Sequence, residues 1–124
     1  MKVLLVDDTR TLLSLIQVYL MGWHIEFHEA KDGLEGLAKA KELKPALVVT
    51  DVRMPGMDGF ELCAAIRADE ELHLLPVVLL TSLNDETSRK KGRLVGASAF
   101  LTKPVSVDEL RQTVGTLLKL PARS

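Results

Sequence analysis

Residues 3–8 read Val-Leu-Leu-Val-Asp-Asp, four apolar residues followed at once by two acids. A run this short and this apolar suits a strand covered on both faces, since a half-exposed strand would alternate. Similar runs recur at Leu47–Val49 and Val77–Leu80, with a shorter one at Ala99–Leu101. Segment 24–29 differs: Ile25 and Phe27 alternate with His24, Glu26 and His28, as an edge strand with one wet face would.

Stretches of helical period lie between these runs. Residues 10–21 place Leu12, Leu13, Leu15, Ile16, Tyr19 and Leu20 on one stripe, with Asp8 or Thr9 as N-cap. Residues 33–43 carry Leu34, Leu37 and Ala38 and stop before Pro45, and residues 59–69 carry Leu62, Cys63 and Ile66. Residues 85–95 follow Asn84 as a cap and end near Gly96. Asp85 and Glu86 lead that helix while Arg89, Lys90, Lys91 and Arg93 follow, an order that complements the helix dipole. Residues 107–119 carry Val107, Leu110, Val114, Leu117 and Leu118. Five strand–helix units imply parallel pairing with right-handed crossovers, hence an α/β, doubly wound sandwich.

The bulk properties agree. A chain of 124 residues, 47% hydrophobic and 27% charged, has the size and composition of one soluble domain. Sixteen Lys and Arg against seventeen Asp and Glu leave a net charge of −1, too weak a field to hold nucleic acid or an anionic membrane. One cysteine, Cys63, excludes an internal disulfide, and the opening apolar run is too short for a signal peptide or a membrane span. These features place the chain in the cytoplasm.

In open α/β sheets, sites form beyond the carboxyl ends of the strands. Strand one ends in Asp7–Asp8, strand three in Asp51, strand four in Thr81–Ser82 and strand five in Lys103–Pro104. Three carboxylates on one rim repel, so the fold must neutralise them or shift their pKa values. Lys103 supplies one positive charge and a divalent cation two, which balances the set. Carboxylates without clustered His or Cys favour a hard ion, Mg²⁺ above all. Phosphoryl transfer needs an in-line nucleophile, for which Asp51 serves, and donors against the equatorial oxygens, for which Lys103 and Thr81 serve. A cis bond is more accessible at Lys103–Pro104 than elsewhere and would aim the lysine into the pocket.

Taken one at a time these features are ordinary: an Asp pair is most often a cap, Lys-Pro a turn and Thr81 a strand-end hydroxyl. Their joint placement on one rim is what points to chemistry. Residues 54–59, Met-Pro-Gly-Met-Asp-Gly, form first of all a turn with Asp58 as a helix cap. The basic run on helix four reads as a solvated face, His24, His28 and His73 as surface or edge residues, and Tyr19 and Trp23 as packing residues.

VLLVDD, DVRMPGMDGFEL, VVLLTS and GASAFLTKP resemble, in order and spacing, the four signature stretches of response-regulator receiver domains. The resemblance runs from Lys2 to about Leu118 and marks residues 1–120 as a receiver, with 121–124 as a tail or linker start. It implies a flavodoxin-like three-layer sandwich whose five parallel strands run in the order 2-1-3-4-5. It implies a phosphoryl group accepted on Asp51 from a histidine kinase or phosphotransfer protein, with Mg²⁺ required. Asp8, Asp51 and the Arg53 carbonyl would be the metal ligands, with Asp7 acting through water. Thr81, Lys103 and the backbone N–H groups of Arg53 and Ser82 would hold the phosphoryl group. The chain would then catalyse only its own phosphorylation and dephosphorylation, and would not be a turnover enzyme.

The family's switch implies that Thr81 moves toward the phosphoryl group, Phe100 turns inward, and the helix-four, strand-five, helix-five face is reshaped for an effector or output domain. Homodimerisation through that face is left open. Phe replaces a common Tyr at position 100, so ring burial must carry the preference. Gly92 inside helix four costs about 1 kcal/mol against Ala, which makes that helix easy to shift. Arg53 and Leu83 stand at positions that tune phosphoryl lifetime; Leu83 is expected to slow water attack, while Arg53 could act in either direction. The alternative is a phosphorylation-independent interaction module. Dehalogenase-type phosphatases need a second Asp two after the nucleophile, where Arg53 stands, and a flavodoxin would not place DDTRT against a flavin phosphate.

Overall fold

The computed structural model describes residues 1–82 and 85–120. Strands β1 (Lys2–Val6), β2 (Glu26–Ala30), β3 (Leu47–Asp51), β4 (Val77–Thr81) and β5 (Ala99–Thr102) alternate with helices α1 (Arg10–Tyr19), α2 (Gly33–Leu43), α3 (Gly59–Ala68), α4 (Glu86–Leu94) and α5 (Val107–Leu118). The strands form one parallel sheet in the order β2-β1-β3-β4-β5, as the resemblance implied. No helix among the described residues is long and apolar enough to cross a membrane.

The continuous apolar runs have a physical cause. Alternate residues of the central strands enter two separate cores. One, holding Leu4, Val6, Val48, Val77 and Leu79, is closed by α2 and α3. The other, holding Val3, Leu5, Leu47, Val49, Val78 and Leu80, is closed by α1 and α5. Each large aliphatic side chain fully buried this way contributes on the order of 1.5–3 kcal/mol.

Helix starts are set by short acceptors. Asp32, Asp58, Asp85 and Ser106 each accept a backbone N–H three residues on, and Asp58 with Glu61 makes a complete capping box. Thr9 occupies the cap of α1 without a side-chain capping bond. Helix α4 therefore begins on Asp85, while Asn84, expected as its cap, lies outside the described residues, as does the tail 121–124. The helix ends with Gly96 at φ +83°, a conformation that favours glycine.

Three helix faces differ from the sequence expectation, α5 among them, whose first residue Val107 is exposed. Leu15 is left exposed on α1, where Leu13 and Ile16 turn inward. Of the residues expected inward on α2, Leu34 and Ala38 are exposed and Leu37 packs at the margin of the core, while the buried positions are Gly33, Gly36 and Ala40. The reason is close approach: a Cβ on Gly36 would lie 3.0 Å from Val6 Cγ2. Small residues let α2 seat against β1, and its larger apolar residues are pushed to the flank.

Candidate functional site

Register brings the acids together. Val6 lies beside Thr50 in the parallel pair of β1 and β3, so Asp7 and Asp51, each one residue further on, emerge side by side. Thr81 pairs with Thr102 across β4 and β5, which delivers Lys103 just past the same rim. The Lys103 N–H donates to the Thr81 carbonyl at 2.8 Å, so these two strands stay joined up to the site. The Lys103–Pro104 bond is cis.

Asp7, Asp8 and Asp51 each offer a carboxylate oxygen within 4.8 Å of the others. The Lys103 ammonium sits 2.8 Å from Asp51 Oδ1, which also accepts the Val52 N–H at 3.0 Å. Asp51 is thus a mostly buried carboxylate held by one cation and one backbone donor. Asp7 is only 2% exposed. Its Oδ1 accepts the Thr9 N–H at 2.8 Å, while its buried Oδ2 has no partner. Burial pushes its carboxyl up to about 6; the Asp51 charge adds to this, and the Thr9 bond and Lys103 oppose it. An orphaned carboxylate oxygen beside two further carboxylates fits a hard divalent cation, because the paired Lys103 offsets only one of the three carboxylates.

The other expected site residues fall as follows. Thr81 is buried at the end of β4, and Ser82 and Arg53 are exposed at the rim. Phe100 is half-buried on β5, three residues before Lys103. Leu83 lies outside the described residues.

The loop from β3 to α3 is fixed by contacts the sequence did not reveal. The Gly59 N–H donates to the Val52 carbonyl at 2.8 Å, and a Cβ on Gly59 would lie 2.4 Å from the Asp51 carbonyl oxygen. On the other flank, a Cβ on Gly33 would lie 2.5 Å from the Met57 carbonyl oxygen. In sequence Gly59 looks like a turn residue and Gly33 like an ordinary helix start. Each is needed because another segment's backbone occupies the space a side chain would fill.

The basic run on α4 is only partly a solvated face. Arg89 lies 5.3 Å from the Phe100 ring centroid and Lys91 4.9 Å from that of Phe60. Trp23 is a packing residue as expected, stacked 4.2 Å beneath the Arg111 guanidinium. Cys63 is buried on α3.

Comparison with known proteins places this geometry. The family model described as "response regulator receiver domain" matches residues 3–115. Protein PilG of Pseudomonas aeruginosa is 34% identical over 110 residues, covering 89% of this chain and 82% of PilG. Protein PilH of the same organism is 32% identical, covering 94% and 97%. The DNA-binding dual master transcriptional regulator RpaA of Synechocystis is 34% identical over 95% of this chain, which spans about half (49%) of RpaA's length. Among solved structures, a response regulator from Chloroflexus aurantiacus superposes with a TM-score of 0.89 at 31% identity, covering 95% of this chain and 97% of that one. The chemotaxis response regulator CheY4 of Vibrio cholerae superposes with a TM-score of 0.85 at 33% identity, covering 94% and 97%.

Proposed function

The chain belongs to the response regulator receiver domain family, and from that premise we propose that it is the phosphoacceptor of a two-component system, with Asp51 as the acceptor. What carries the reading is the meeting, at one rim of the sheet, of three carboxylates and one ammonium, with Lys103 2.8 Å from Asp51.

A histidine kinase or phosphotransfer protein is the donor. An Asp51 oxygen forms the new O–P bond as the donor's P–N bond breaks, and the leaving imidazole nitrogen takes up a proton. Lys103 moves from the carboxylate to a phosphoryl oxygen as charge migrates there, and the Thr81 hydroxyl and the N–H groups of Arg53 and Ser82 donate to the others. Bound at Asp8, Asp51 and the Arg53 carbonyl, with Asp7 acting through water, Mg²⁺ would offset the crowded carboxylates and the transferring oxygens. The protein catalyses its own modification and no turnover reaction. Its α4–β5–α5 face is the surface an effector or output domain reads, or a second copy of the chain. The reading places the chain in the cytoplasm and gives it no direct nucleic-acid or membrane contact.

Phosphotransfer from a labelled histidine kinase tests this. Label should reach the wild type in Mg²⁺, and neither Asp51→Asn nor an EDTA-treated sample. A wild type refractory to every donor would leave a phosphorylation-independent interaction module. Leu83 is read as a shield against water, so Leu83→Glu should shorten the phosphoryl lifetime several-fold, and an unaltered lifetime would contradict that role.

A further inference from the structure

We propose that Arg89 and Gly92 position Phe100, forming a niche on α4 that sets how readily the phosphorylated conformation is reached; the inference rests on the phosphoacceptor reading above. Residues 89 and 92 are three apart on a helix and share a face. Residues 100 and 102 are two apart on a strand and share a face as well. These faces meet. A Cβ on Gly92 would lie 2.9 Å from Phe100 Cδ2, so the ring rests against bare helix backbone. The Arg89 guanidinium lies 5.3 Å from the ring centroid, and its Nη2 donates to Thr102 Oγ1 at 3.3 Å. Phe100 has no hydroxyl to bond. A cation held over the ring by a neighbouring threonine therefore supplies directional retention that ring burial alone lacks.

The niche is connected to the acceptor site through the sheet. Thr102 is the register partner of Thr81, and Phe100 that of Leu79. A displacement of Thr81 toward Asp51 thus meets the residue that holds Arg89, and through it the ring. Lys103 pairs here with the Asp51 carboxylate itself, a pairing that a phosphoryl group on Asp51 would replace. The niche accordingly stabilises the unmodified form, and weakening it shifts the balance toward the modified one.

Titration with beryllofluoride and Mg²⁺, followed by NMR, measures that balance. Arg89→Ala should bind beryllofluoride about two- to five-fold tighter than wild type, the size of a part-exposed cation–π contact. Arg89→Lys keeps a charge near the ring without the planar fork and should fall between them. Gly92→Ala, which favours the helix but crowds the ring, should also bind tighter. Equal affinity in all four proteins overturns the proposal. A wild type that binds no beryllofluoride overturns the phosphoacceptor reading instead. The niche is then judged on the unliganded proteins, where Arg89→Ala must shift the Phe100 ring signals; unshifted signals overturn it.

Discussion

At the scale of single residues, Asp7 shows what gathering acids on one rim costs. Its carboxyl is lifted to about 6 from an ordinary 3.8, chiefly by burial. The sign follows from linkage. The folded state holds this proton more tightly than the unfolded chain, so the contribution to stability is full below the unfolded value and is lost as pH rises through about 6. The shift corresponds to about 3 kcal/mol at most, from 1.36 kcal/mol per unit. Without divalent cation, the protein should therefore lose stability between about pH 4 and about pH 6, and Asp7→Asn should flatten that slope. Mg²⁺ should raise the melting temperature more at the higher pH, because it replaces the missing proton's charge. Thermal unfolding with Mg²⁺ and with EDTA checks this, and equal stabilisation at both pH values would contradict it.

The same scale divides what the sequence disclosed from what it did not. Asp7, Asp8, Asp51, Thr81 and Lys103 were legible because each lies within two residues of the end of an apolar run. Arg89 was not: on a helix rich in basic residues, nothing in the sequence distinguishes the one that lies over Phe100. Gly92 was legible only as a weak point in α4. The ring it makes room for is what accounts for it.

At the scale of elements, the β3–α3 loop and helix α4 matter most. Gly59→Ala would drive a Cβ to 2.4 Å from the Asp51 carbonyl oxygen, and backbone cannot yield as a flexible side chain can. Overpacking of this kind costs about 1–3 kcal/mol. Because the strain falls on the acceptor's own peptide group, phosphorylation should slow several-fold beyond the loss of stability. Labelling rates measured well below the variant's melting temperature test this, and a wild-type rate there would contradict it. Helix α4 buries only Ser88 and Gly92 of its nine residues. Few buried contacts mean cheap local opening. Amide exchange across residues 86–94 should change when beryllofluoride occupies the site, more than across α3, which buries five residues. Equal protection in the two states would remove α4 from the switch.

Strand positions were readable because burial on both faces forces continuous apolar runs. Helix faces were less so. Leu15 and Leu34 look like core residues in sequence, yet glycines and alanines on α2 bring the helix so close to β1 that Leu34 has no room beneath it. Such close approach depends on which elements meet, and a single chain's periodicity does not report that.

At the scale of the whole molecule, the strand–helix alternation gave a parallel doubly wound sandwich, but the order β2-β1-β3-β4-β5 came from the resemblance, since spacing alone permits other orders. That order is what makes the site. It sets β1 next to β3 and β4 next to β5, so that acids from the first pair face the lysine from the second. The chain spans most of PilG and PilH but about half of RpaA.

The most direct measurement is the intact mass of the purified protein after incubation with acetyl phosphate. In Mg²⁺ the wild type should gain one phosphoryl group, which hydroxylamine removes as it does from an acyl phosphate. Asp51→Asn and an EDTA-treated sample should gain none. An unmodified wild type, or an equal gain in Asp51→Asn, would contradict the assignment of Asp51 as the acceptor.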